Sequence, residues 1–193
     1  MDDMRLCELI ETIHQNAVDH GWWEEDRSPG HVIALIHSEW SEALEEARNG
    51  NPLVYKVALT GMNARKVEPG NVEYGAFGKP EGVAVEIADG AIRILDYMGH
   101  LGFKPAQTVR ELMKDECRVR DNVPDMIAEL HKHTSYSYVT RSGKSDDVSP
   151  VLLHLVLTMA LKWIEAQGID PVALILEKHE YNKTRPYKHG KRF

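Results

Sequence analysis

The sequence predicts an all-α protein, an antiparallel bundle of helices. Apolar residues recur at helical spacing in one stretch after another. Glycine, proline and short polar runs separate those stretches. Two of the stretches also carry carboxylates on the same side as their apolar residues, where an unpaired charge is costly. With 193 residues, 42% of them hydrophobic, the chain can bury a core as a single all-α domain, 1–193.

The first helix spans about 6–20, with Leu6, Ile10, Ile13 and Ala17 on one side. Glu11-Thr-Ile-His14 has the spacing that di-iron bundles use, but no second copy occurs, so it reads as a solvated face. Gly21 ends the helix. Trp22 and Trp23 follow in a polar stretch to Gly30. Two adjacent tryptophans cannot point the same way on a helix, so one suits the core and the other is available to stack on a ligand.

The second helix, 31–48, places Glu39, Glu42 and Glu46 on the side of Val32, Leu35, Ile36 and Ala43. Trp40 lies about 100° round from Glu39, toward the apolar side, and reads as core. Asn49-Gly50 suits a C-cap. Residues 51–80 hold Pro52, Gly61, Pro69-Gly70, Gly75, Gly78 and Pro80, and read as a long loop with a short element near 53–59. The third helix, 81–100, buries Val83, Ile87, Ile94 and Met98. Glu86 and Asp89 share a face, Arg93 and Tyr97 follow on later turns, and Gly102 ends the helix.

A helix over 104–118 and two more over 122–135 and 149–166 follow, the last pair joined by a polar loop at 140–147. His131-Lys-His133 lacks a carboxylate or cysteine at metal-binding spacing. The final helix starts at Asp170 (N-cap) and Pro171 and runs to about 183. Lys178, Tyr181 and Asn182 share a face, which Arg185 continues. Gly102-Phe-Lys-Pro-Ala106 echoes Gly168-Ile-Asp-Pro-Val172. Taken as a tandem duplication, the halves are 1–118, with the acidic residues, and 119–193, where Leu152 and Leu155 replace Glu86 and Asp89.

The net charge of -7 argues against a stable nucleic-acid complex. From 178 to 193, however, six residues are Lys or Arg and only Glu180 is acidic. No apolar run reaches membrane-spanning length, and Met1-Asp-Asp-Met4 lacks a signal core, so a cytoplasmic protein is expected. Cys7 and Cys117 then read as separate thiols. Two facing helices, each with an acidic pair, make an oxygen-only cage suited to Mg²⁺ or Mn²⁺. An acidic cage beside a basic tail suits a metal-bound polyphosphate.

Glu39 and Glu42, then Glu86 and Asp89, in a helical setting, resemble the ExxE and ExxD motifs of the MazG-like all-α nucleoside triphosphate pyrophosphohydrolases, the group that includes dimeric dUTPases and dCTP pyrophosphatases. The closing Glu180-Tyr-Asn-Lys-Thr-Arg-Pro-Tyr-Lys-His-Gly-Lys-Arg192 is similar to the C-terminal signature of small MazG-like proteins. The resemblance implies hydrolysis of a nucleoside triphosphate to the monophosphate and pyrophosphate, with Mg²⁺ or Mn²⁺ held by Glu39, Glu42, Glu86 and Asp89. It implies phosphate contacts from Lys178, Asn182 and Arg185, and substrate contacts from Tyr181, Arg93 and Lys188, with Lys191 adding charge. Trp22, Trp23, Trp40 or Tyr97 would stack on the base, and the protein would be a homodimer. Two departures stand out. Ser38, after His37, occupies the family's first acidic position, which leaves Glu39, Glu42 or Glu46 as the general base, or a metal that deprotonates the water without a dedicated base. The spacer from Glu42 to Glu86 is longer than usual. Ser38 and the degenerate second half suit an alternative, a nucleotide- or metal-binding module without turnover. A different helical metalloprotein, such as a di-iron bundle, is a third reading.

Overall fold

The structure is a computed structural model and describes residues 3–58, 65–67, 78–104, 119–140 and 146–190. Its helices are α1 (Asp3–Asp19), α2 (Pro29–Arg48), α3 (Val83–His100), α4 (Val123–Ser137), α5 (Pro150–Ala166) and α6 (Pro171–Lys183). A 3₁₀ turn follows at Tyr187–Gly190. Short strands complete it: β1 (Tyr55–Ala58), β2 (Arg65–Val67), β3 (Lys79–Glu81), β4 (Tyr138–Thr140) and β5 (Asp146–Val148). The protein is thus mostly helical. No single helix among the described residues is long and apolar enough to cross a membrane.

Helix starts follow local chemistry. Ser28, Asn122, Ser149 and Asp170 each cap a helix by accepting a backbone N–H, and each helix has proline in its first two positions. α3 begins differently. Gly82 has φ +117°, and a Cβ there would lie 2.6 Å from the carbonyl oxygens of Pro52 and Leu53. Those carbonyls accept from Val83 and Ala84 at 3.4 and 2.9 Å. The chain leaving α2 therefore supplies acceptors for α3's first amides and fixes the start of α3 beside α2.

α3 is the centre of the fold. It packs against α1, α2, α5 and α6. Ala84, Val85, Ile87, Ala88, Ala91, Ile94, Leu95 and Met98 are fully buried, so α3 is apolar nearly all round. Gly90 and Gly99 allow close approach, since a Cβ would meet the Trp40 ring at 2.2 Å and His14 at 2.4 Å. Trp40 is fully buried, in keeping with its core reading, and its Nε1 donates to Thr134 Oγ1 of α4 at 3.0 Å.

Three expectations need correction. The stretch 51–80 contains a three-stranded antiparallel sheet, ordered β2-β1-β3, rather than only a loop with one short element. Pro80, which lacks a backbone donor, sits on edge strand β3. Lys56 of β1 pairs with Glu177 of α6 at 2.6 Å, which ties this sheet to the last helix. Second, α3 starts at Val83, because Glu81 belongs to β3. Third, the polar loop after α4 is bracketed by the hairpin β4–β5. The helix expected over 104–118 and Cys117 fall, apart from Lys104, outside the described residues.

The echoed Gly-x-x-Pro segments share one backbone turn. Gly102 and Gly168 have φ +61° and +78°. Phe103 N–H reaches back to Met98 O at 2.9 Å, and Ile169 N–H to Ile164 O at 3.4 Å. That is a general way to end a helix and does not by itself speak for duplication.

The contact at Gly90 makes a test. Gly90→Val should cost about 2 kcal/mol or more through overpacking against Trp40, read as a lowered urea midpoint with an unchanged m-value.

Candidate active site

α2 presents Glu39 and Glu42 one turn apart, and α3 presents Glu86. One carboxylate oxygen from each comes within 4.8 Å of the others. Glu39 and Glu86 are buried at 5% and 4% exposure, whereas Glu42 is exposed. The cluster is therefore rooted in the protein and open on one side. It borders a cleft of about 570 Å³ formed by α1, α2, α3, β3, α6 and the 20–28 loop. Five carboxylates (Glu39, Glu42, Glu86, Asp89, Asp96) and five cations (Arg27, Lys79, Arg93, Lys178, Arg185) line it.

The cations hold two of the predicted ligands. Arg93 Nε donates to Glu39 Oε1 at 2.5 Å. Lys178 Nζ, 2% exposed, lies 2.9 Å from Asp89 Oδ2 and donates to Pro80 O at 3.0 Å. Asp89 thus faces Lys178, one turn beyond the three-carboxylate cluster. Burial pushes the Glu86 carboxyl up to about 9; Asp89, Glu39 and a hydrogen bond with Glu81 add to this, while Lys178 opposes it. Burial also raises Glu39, with Asp89 and Glu42 contributing against Arg93. Glu81 is lowered, because Lys79 and its bond with Glu86 outweigh burial. In the metal-free protein near neutral pH, Glu86 keeps a proton and donates it to Glu81. A divalent cation fits this donor set. It would take the place of that proton and discharge the crowded oxygens.

The other predicted contacts divide. Trp22, Arg93, Lys178, Asn182 and Arg185 line the cleft. Tyr181, Tyr97, Lys188 and Glu46 do not line it. Glu46 accepts from Asn51 Nδ2 at 3.0 Å and also bonds Tyr55, holding the chain that leaves α2. Tyr97 is buried and stacks on Trp23, with ring centroids 6.4 Å apart. Lys188 lies over the Tyr187 ring, while its backbone N–H donates to His20 O at 3.0 Å. Lys191 is outside the described residues. Ser38 lines the cleft and donates to Leu35 O at 2.7 Å.

Sequence reasoning missed Arg27, Lys79, Asp96 and His179. Nothing in helical periodicity singles out Arg27 or Lys79, which lie in a loop and on a short strand. It also misread His14, which is not on a solvated face: its Nδ1 bonds Asp96 Oδ1 at 2.8 Å. His131 stacks on His37, with the two Nδ1 atoms 2.7 Å apart. On α6, His179 Nε2 and Asn182 Oδ1 are buried without a hydrogen-bond partner among the described residues. Burial lowers the His179 imidazole, with Lys183 adding to the shift.

Two tests follow from these pairs. Glu86 is raised from 4.5 to about 9 on folding, so its contribution to stability is full below pH 4.5 and is lost as the pH rises toward 9. With a chelator present, thermal melts should fall over that range. Added Mg²⁺, or Glu86→Gln, should flatten the slope. Separately, Lys178→Met strands Asp89 and should cost about 3 kcal/mol in urea unfolding, part of which Asp89→Leu in the same chain restores.

No protein-family model, curated protein or solved structure matches this chain.

Proposed function

We propose that the protein is a metal-dependent nucleoside triphosphate pyrophosphohydrolase of the MazG-like all-α type. The observation that carries this reading is the convergence of Glu39, Glu42 and Glu86 within 4.8 Å at the wall of a cation-rimmed cleft. An all-oxygen donor set suits Mg²⁺ or Mn²⁺, and the lining cations suit a polyphosphate. The ExxE and ExxD spacing and the closing segment support the same family.

Glu39, Glu42 and Glu86 would hold the cation. Asp89 would join them as Lys178 turns to phosphate. When bound, the metal would supply charge neutralisation and an acidified water. The chain's own groups do the rest. Lys79, Lys178 and Arg185 bind phosphate oxygens and counter the charge that builds as the α–β phosphoanhydride bond breaks. Water adds to the α-phosphorus, pyrophosphate departs, and a proton must leave the water. Glu42, the exposed member of the cluster, would accept it in place of an acid at Ser38. Asn182 offers its amide to the same phosphates. A homodimer, as the resemblance implies, belongs to this proposal.

The alternative, a binding module without turnover, draws on Ser38 and on the engagement of Glu39 and Asp89 by Arg93 and Lys178. One assay separates the two. Pyrophosphate release from a panel of ribo- and deoxyribonucleoside triphosphates with Mg²⁺ or Mn²⁺ should be robust for the wild type. It should fall on the order of 100-fold or more in Glu39→Gln and Asp89→Asn. Nucleotide binding without pyrophosphate release would favour the module.

A further inference from the structure

The cleft has a second end, away from the carboxylate cluster. Asp89, Arg93 and Asp96 line it in succession along one face of α3. Glu86 and Asp96 are about 15 Å apart along the helix axis, a length that accommodates a nucleotide. If the phosphates lie against Glu86 and Lys178, the base lies toward Asp96. That end is built by Trp22, Arg27 and Asp96.

The loop that carries Trp22 and Arg27 is firmly held. Trp23 Nε1 and His14 Nδ1 both bond Asp96 Oδ1 at 2.8 Å. The Trp23 ring stacks on His100, with centroids 3.9 Å apart and planes within 8°. Arg27's guanidinium carbon lies 4.7 Å from the Trp22 ring centroid and 5.3 Å from that of Trp23. Arg27 has no ion pair or hydrogen bond with any described residue, although it lines the cleft. Asp96 Oδ2 likewise has no hydrogen-bond partner among the described residues. The guanidinium fork, laid over the Trp22 indole, thus stands near the Asp96 carboxylate that attracts it.

A phosphate fits this end poorly, because Asp96 would repel it. A neutral edge that carries both acceptors and donors fits both groups. We propose that Arg27 and Asp96 read a nucleobase edge with two adjacent acceptors beside a donor, while Trp22 lies against the base. Guanine offers N7 and O6 next to N1–H, and cytosine offers O2 and N3 next to its amino group. Adenine and uracil have no two adjacent acceptors on their pairing edges. The structure thereby gains a substrate class, guanine or cytosine nucleotides. This rests on the pyrophosphohydrolase reading.

The test measures pyrophosphate release and, separately, equilibrium binding by tryptophan fluorescence, for GTP, CTP, ATP, UTP and their deoxy forms. The wild type should prefer guanine or cytosine over adenine and uracil by about tenfold or more. Arg27→Lys keeps the charge but loses the fork, and should shrink that preference to about threefold or less; Arg27→Gln should do the same. The GTP and CTP arms separate the two edges. Equal losses on all bases in both variants would assign Arg27 to phosphate and overturn the inference, as would a wild-type preference for ATP or UTP. Hydrolysis with no base preference overturns this inference alone. A wild type that neither binds nor hydrolyses any nucleotide overturns it together with the reading beneath it.

Discussion

The ammonium of Lys178 joins the parts of this protein that matter most to the cleft. It is almost wholly buried, contacts Asp89 of α3 and Pro80 of β3, and belongs to α6. A buried cation must be matched by nearby negative charge or its desolvation is uncompensated. Here Asp89, with Glu81, provides the match and raises the lysine's proton affinity against the effect of burial. Three elements distant in sequence are therefore held at one point. Lys178 thus holds the last helix to α3 and joins the Glu81–Glu86 hydrogen bond in holding the sheet edge there.

The same point explains how charged groups are tolerated in the middle of an apolar bundle. α3 is buried on nearly every side, and hydrophobic burial of that extent offsets the cost of its few polar positions. Those positions are grouped rather than scattered. Glu86, Asp89, Arg93 and Asp96 run along the cleft, and each is met by a partner from another element: Glu81, Lys178, Glu39, and His14 with Trp23. Five carboxylates and five cations line the cleft, so a divalent cation and a polyphosphate entering together would leave its balance less disturbed than either alone.

Much of this was legible in the sequence where one helix carries the information. The acidic spacing on α2 and α3, the N-cap at Asp170, the core placement of Trp40 and the shared face of Lys178 and Asn182 all follow from a single helical period and local chemistry. What was not legible depends on chain segments meeting. The strands of the 51–80 region are three or four residues long, too short for alternation to register, and their pairing depends on distant partners. Lys79 reaches the cleft only because β3 pairs with β1. His14 looked solvated because its partner, Asp96, lies far along the chain. Nor could spacing show that Lys178 faces Asp89, since the pair joins two helices far apart in the chain.

The 20–28 loop shows how a segment without periodicity becomes definite. Its Trp23 ring is held by α3 through a hydrogen bond to Asp96 and a face-to-face contact with His100. Aromatic stacking and a charge-assisted hydrogen bond act together there, and their geometric demands are independent. Trp23 satisfies both at once, so it serves as an anchor and leaves its neighbour Trp22 on the cleft side. That division of labour between adjacent tryptophans is the alternation expected of two residues that cannot face the same way. It makes the loop a wall of the cleft rather than a connection between helices.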